Sequence, residues 1–131
     1  MTLRTAICEL LGVDHPVGNA GMAGVAHPRL CAAVADAGGI ATVAMGGASA
    51  AEVTTRVEAV KALTDRPFSA NFIAWLIEHD TSPLDAAIEA GVASITLSFG
   101  DPTPYVDRVH VAGSLLLNQV QTVEAARRAV E

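Results

Sequence analysis

Few residues of this chain have side chains suited to chemistry, so their placement carries most of the information. Asn71 stands in Phe68-Ser69-Ala70-Asn71-Phe72, a polar amide inside an otherwise apolar run. A buried amide without a partner costs about 1–3 kcal/mol, so Asn71 requires one, from backbone or from a ligand. The segment Asn19-Ala20-Gly21-Met22-Ala23-Gly24 combines small residues with two glycines. Such a loop lets a flat ligand approach backbone N–H and C=O groups, and a tight strand-to-helix turn explains it equally well. Met45-Gly46-Gly47 is a second permissive loop, read as turn geometry. Ser98 closes an apolar run ahead of Phe99-Gly100-Asp101-Pro102, where it could meet a substrate. Asn118 and Gln119 are adjacent, so strand alternation turns one of them inward.

The remaining candidates are weaker. His15 precedes a proline, His27 begins a helix, and His79 and His110 lie in polar or helical surroundings. Most of them read as exposed or packing residues rather than bases. Cys8 and Cys31 sit in apolar helical contexts without metal spacing and read as two buried reduced thiols. There is no G-x-G-x-x-G, no P-loop, no nucleophile–base pair and no metal-ligand spacing. No metal site is therefore expected within these residues.

The elements that must position these residues alternate regularly. After a short helix at 5–11, strand candidates fall at 16–20, 39–45, 68–74, 92–99 and 115–120. A helix from Pro28 carries Leu30, Ala33, Val34 and Ala37 on one stripe, with Gly38 as its stop. Ser49 and Glu52 form a capping box ahead of the stripe Val53, Val57, Val60. Ser82, Pro83 and Asp85 read as N-cap, first-turn proline and first-turn acid of a helix ending at Gly91. Thr122 caps a last helix with Val123, Ala126 and Val130 on one side.

Five strand–helix units in this order predict right-handed crossovers and a parallel sheet. Their short, regular length suits a (β/α) TIM barrel, of which these would be the first five units, an incomplete barrel. A closed barrel needs eight units and about 250 residues, against 131 residues here. Arithmetic alone leaves an open, five-stranded doubly wound sheet standing beside it. Composition fits either: 25 alanines, 11 glycines and only 4% aromatics suit close helix-on-sheet packing. The net charge of −6, with a single lysine, leaves no basic patch for nucleic acid. No apolar stretch reaches membrane-spanning length, and no leader peptide is recognisable at the start, so a cytoplasmic protein is expected.

Several motifs in order resemble the nitronate monooxygenase family, formerly called 2-nitropropane dioxygenase. They begin with Glu9-Leu10-Leu11-Gly12-Val13-Asp14-His15-Pro16-Val17, followed by Asn19-Ala20-Gly21-Met22-Ala23-Gly24-Val25-Ala26. The likeness continues through residues 30–39, Leu63-Thr64-Asp65-Arg66-Pro67-Phe68 with Asn71, and Glu89-Ala90-Gly91-Val92. It ends with Ser98-Phe99-Gly100-Asp101-Pro102, Gln119-Val120 and Val123-Glu124-Ala125-Ala126-Arg127.

The resemblance implies that residues 1–131 are the N-terminal part of a single FMN-binding (β/α)8 barrel. Such an enzyme oxidises alkyl nitronates with O₂ to a carbonyl compound and nitrite. The backbone at Ala20, Gly21 and Met22 would flank the flavin ring, and the Asn71 side chain would hydrogen-bond it. Two departures stand out: Asn19 replaces the family's usual glutamine, and Ser98 replaces a histidine found in some members, which bears on substrate contacts. The family's catalytic histidine, in a Gly-Gly-His segment after the sixth strand, and its later phosphate-binding glycine loops have no counterpart in these residues. The chain alone is therefore expected to be inactive and to bind FMN weakly or not at all. Two rivals are carried forward. One is a flavin-dependent enoyl-acyl carrier protein reductase; the other is a non-catalytic half-barrel that associates with another chain through its unpaired strand edges.

Overall fold

The computed structural model describes residues 3–130. Four parallel strands form one sheet in sequence order: β1 (Thr42–Ala44), β2 (Ser69–Ile73), β3 (Ser94–Ser98) and β4 (Leu115–Gln119). Each strand connects to the next through helix: α3 (Ala50–Lys61), α4 (Ser82–Glu89) and α5 (Val106–Val111). Ahead of the sheet lie α1 (Ala6–Leu11) and α2 (Pro28–Asp36), and α6 (Val123–Arg128) follows it. The alternation read from the sequence is thus the observed one.

Register assigns the two faces of the sheet. Ala44, Asn71, Thr96 and Leu117 lie abreast, as do Val43, Ala70, Ile95 and Leu116. By period-two alternation, Val43, Ala70, Phe72, Ile95, Leu97 and Leu116 point to the helix layer, and all join one apolar core with Val53, Val57, Val60, Leu84, Ala87 and Val109. Burying each such aliphatic side chain is worth roughly 1.5–3 kcal/mol, so this layer holds the sheet. The opposite face mixes small polar residues, Thr42, Ser69, Asn71, Ser94, Thr96 and Ser98, with Ala44, Ile73, Leu115 and Leu117, and of the six polar ones all but Thr96 are buried.

Several sequence expectations meet corrections here. The strand expected at 16–20 is a single parallel bridge, Gly18 to Ile40. Beyond it the Asn19 side chain takes over the pairing: Nδ2 donates to the Thr42 carbonyl at 2.7 Å, and Oδ1 accepts from the Thr42 N–H at 3.1 Å. A side-chain amide stands in for the next peptide group, so no backbone ladder continues. In α2 the buried residues are Cys31, Ala32 and Ala35, whereas Ala33 and Ala37 are exposed. Arg29 and Asp36, seven residues apart, share their face with Ala33 and Ala37, and Cys31 and Ala35 lie opposite, so the charged pair and not the apolar stripe marked the two sides.

The capping box of α3 is present as read, and Val53, Val57 and Val60 are fully buried. In α4 the cap position is Thr81 rather than Ser82, because Asp80 Oδ1 accepts from the Ser82 N–H and draws that residue into the helix. Thr122 does cap α6, accepting from the Ala125 N–H, but Val123 and Val130 are 70% and 86% exposed. The predicted stripe of α6 therefore packs on nothing among the described residues.

Candidate functional site

The C-terminal ends of parallel strands are where β/α folds bind ligands, because the loops there are free of the sheet's own packing. Three of the residues singled out in the sequence meet there. Asn71, at the middle of β2, is 5% exposed. Its Nδ2 donates to the Thr96 carbonyl at 3.2 Å and to Ser98 Oγ at 3.0 Å, both on neighbouring β3. Gly21 lies directly against the other side of this amide: a Cβ built there would overlap Asn71 Oδ1, Cγ and Cβ. Only glycine lets the loop close on Asn71 in this way.

The arrangement leaves one atom uncommitted. Asn71 Oδ1 accepts no hydrogen bond among the described residues, although its Nδ2 makes two. An acceptor held rigidly by a committed donor, under an exposed glycine-containing loop, is suited to a ring N–H. Ser69 Oγ and Thr96 Oγ1 lie 2.7 Å apart on the same face, continuing a floor of small polar groups. Ala20, Gly21 and Met22 are exposed above it. Asn19 anchors the loop through Thr42 and through its own Nδ2 donating to the Ala20 carbonyl at 3.1 Å. Its role is to position the backbone, which sequence reading noted only as a shortened amide.

Ser98 is 7% exposed and engaged by Asn71, so its hydroxyl sits beside the candidate ring site rather than free at a mouth. Of the adjacent pair on β4, Gln119 shares the Asn71 face and is exposed, while Asn118 turns to the helix side. The buried Asn118 Oδ1 is without a partner among the described residues. Thr96 escaped the sequence reading. Its one signal was its place, abreast of Asn71 once register is known.

The other candidates stay apart from this cluster. His15, His27, His79 and His110 are all exposed. Cys8 and Cys31 are buried and free, and burial pushes the Cys31 thiol up to about 12, which keeps it protonated and unreactive near neutrality. At the rim, Asp101 accepts from the Thr103 N–H and hydroxyl, and these bonds hold its carboxyl below the usual carboxylate range. Glycines at 46 and 47 form a loop near Ile73, as the turn reading expected.

With this geometry in place, similarity to known proteins becomes informative. The family model for nitronate monooxygenase matches residues 4–131. The chain belongs to the nitronate monooxygenase family. Among curated relatives, it is 31% identical over 128 residues to an octahydro-indene-carboxyl-CoA dehydrogenase of Mycobacterium tuberculosis, covering 98% of this chain and 36% of that one. It is 39% identical over 88 residues to a nitronate monooxygenase of Paraburkholderia phytofirmans, covering 67% of this chain and 23% of that protein. Among solved structures, FabK of Thermotoga maritima superposes with a TM-score of 0.91 at 28% identity, over 98% of this chain and 41% of that one. The chain thus spans about a third of the length of the curated relatives it matches over nearly its whole sequence. The family and the structural likeness together make its β/α run a portion of the TIM-barrel fold.

Proposed function

We propose that this chain supplies the ring-facing part of the FMN site in a cytoplasmic oxidoreductase of nitronate monooxygenase type, one that uses O₂ to convert alkyl nitronates to a carbonyl compound and nitrite. Family membership supports the class. The observation that carries the site is the meeting of Gly21 with the Asn71 amide, whose donor is committed and whose acceptor is not. FMN, when bound, would supply the electron acceptor that O₂ reoxidises.

The residues here have narrower tasks. Gly21, flanked by Ala20 and Met22, offers backbone for close contact with a flat ring. Asn71 Oδ1 accepts a ring N–H, and Thr96 and Ser98 hold the amide so that Oδ1 cannot rotate away. Ser98 lies where the nitronate would approach. No residue of this chain is assigned the proton transfer.

Equilibrium dialysis against lumiflavin, the ring without ribityl chain or phosphate, tests the reading. Binding that falls at least tenfold in Asn71→Leu supports it. Lumiflavin binding that is absent, or unchanged in that variant, overturns it.

A second reading has its own support. The relative matched over 98% of this chain is by name a dehydrogenase of a CoA thioester. On that reading the same ring site serves an acyl thioester, as in the enoyl reductase alternative. NADH-dependent reduction of an enoyl thioester by a full-length barrel carrying these residues, without nitronate turnover, would favour it. The exposed edge at Val17 and Gly18 and the exposed apolar side of α6 also support a tendency of the chain to self-associate.

A further inference from the structure

Phe99 is the one non-glycine residue with a positive φ, at 59°, among the described residues. The left-handed region is a rare backbone state for a bulky side chain, and such outliers persist only where surrounding structure enforces them. Core packing does not enforce this one, since Phe99 is 53% exposed. Its two neighbours do. Ser98 is fixed by the strand ladder to Ile73 and Gln119 and by the Asn71 amide. Gly100 is pressed onto the chain after β2, where a Cβ would come within 2.5 Å of Ala74 Cβ. Pinned on both sides, the backbone turns through Phe99 at the rim of the candidate site.

The neighbouring loops also carry exposed large apolar side chains: Trp75, whose backbone N is 3.6 Å from the position of a Gly100 Cβ, with Leu76 beside it, and Met22, next to Gly21, with Val25 further along. Single exposed apolar residues need no explanation. Several on loops that precede β1 and follow β2 and β3, one of them on a disfavoured backbone, do need one.

We infer that Phe99 is a specificity-determining residue, whose ring, with Trp75 and Met22, receives the hydrocarbon portion of the substrate above the Asn71–Ser98 floor. This inference rests on the flavin reading above and adds the substrate's apolar chain to it. The polar floor takes the ring and the charged nitro end, and the rim selects for chain length.

Trp75 is the sole tryptophan, so its fluorescence reports the rim. The chain in excess FMN, under nitrogen so that no reoxidation follows, is titrated with ethyl, butyl and hexyl nitronate. Affinity is expected to rise about two- to fourfold per methylene in the wild type, the gain that burying a CH₂ gives. In Phe99→Asn, which tolerates the left-handed backbone, that gain should fall to less than half, while the melting temperature stays level or rises. An unchanged chain-length dependence in this variant overturns the inference and leaves the flavin reading standing. A melting temperature lowered by several degrees also overturns it, because the ring would then be a packing residue. Absence of any FMN response in the wild type, followed by dialysis, removes the flavin reading and this inference together.

Discussion

At the residue scale, the decisive feature is an amide with a committed donor and a spare acceptor. Asn71→Leu keeps the branching of the side chain and removes both functions, leaving Ser98 Oγ and the Thr96 carbonyl without their shared donor. Denaturant titration should show a loss of about 1–3 kcal/mol; a neutral result would mean that the Asn71 bonds contribute nothing to stability. Gly21→Ala places a methyl group against the same amide. It should displace the loop, cost about 1–3 kcal/mol, and weaken flavin ring binding by tenfold or more. Retained ring affinity in that variant would show that the close approach of Gly21 is not needed. Asn71 was legible from the sequence because an amide in an apolar strand demands an explanation. Thr96 was not, because a threonine in a strand is ordinary until register sets it beside Asn71.

At the element scale, what could be read depended on how unequal the two sides of each segment were. In α3 the valines at 53, 57 and 60 face alternating polar residues, so its buried stripe and capping box were both legible. In α2 the predicted stripe took Ala33 and Ala37, which share the face of the charged Arg29 and Asp36, whereas the buried Cys31 and Ala35 lie opposite that pair. The strand expected at 16–20 fails for a different reason: Asn19 pairs through its side chain, a choice no periodicity reveals. The α3 cap gives a clean test. Ser49→Ala should cost about 1 kcal/mol at neutral pH. The Glu52 carboxyl is held below its ordinary value of 4.5 by the Ser49 N–H and hydroxyl. A lowered folded-state value means that the carboxylate's part of the box is fully present above about pH 4.5 and is lost as pH falls through the folded value. Of the carboxylate's two bonds, Ser49→Ala removes only the hydroxyl one, so the melting-temperature gap to wild type should narrow below pH 4.5 without closing. The Glu52 N–H bond to Ser49 Oγ, which the variant also loses, is indifferent to pH; parallel curves would contradict that linkage.

At the scale of the whole molecule, one sheet presents a helix-covered apolar face and an opposite face that mixes small polar residues with apolar ones. Among the described residues, no helix is long and apolar enough to cross a membrane. The leading segment pairs through one bridge, and Val17 beside it is 70% exposed. Sedimentation velocity should accordingly show association that grows with concentration and is reduced by Val17→Lys, since a charged edge opposes strand pairing. A monomer at every concentration would remove the self-association proposal and leave the site untouched. The central claim is that these residues meet the flavin ring rather than its phosphate. It is tested most directly by dialysing the chain against lumiflavin and FMN in parallel, for wild type and Asn71→Leu. Both ligands should bind the wild type within about threefold of each other, a difference of roughly 0.7 kcal/mol, and both should lose at least tenfold in the variant. FMN binding far more tightly than lumiflavin, or ring binding indifferent to Asn71, would contradict it.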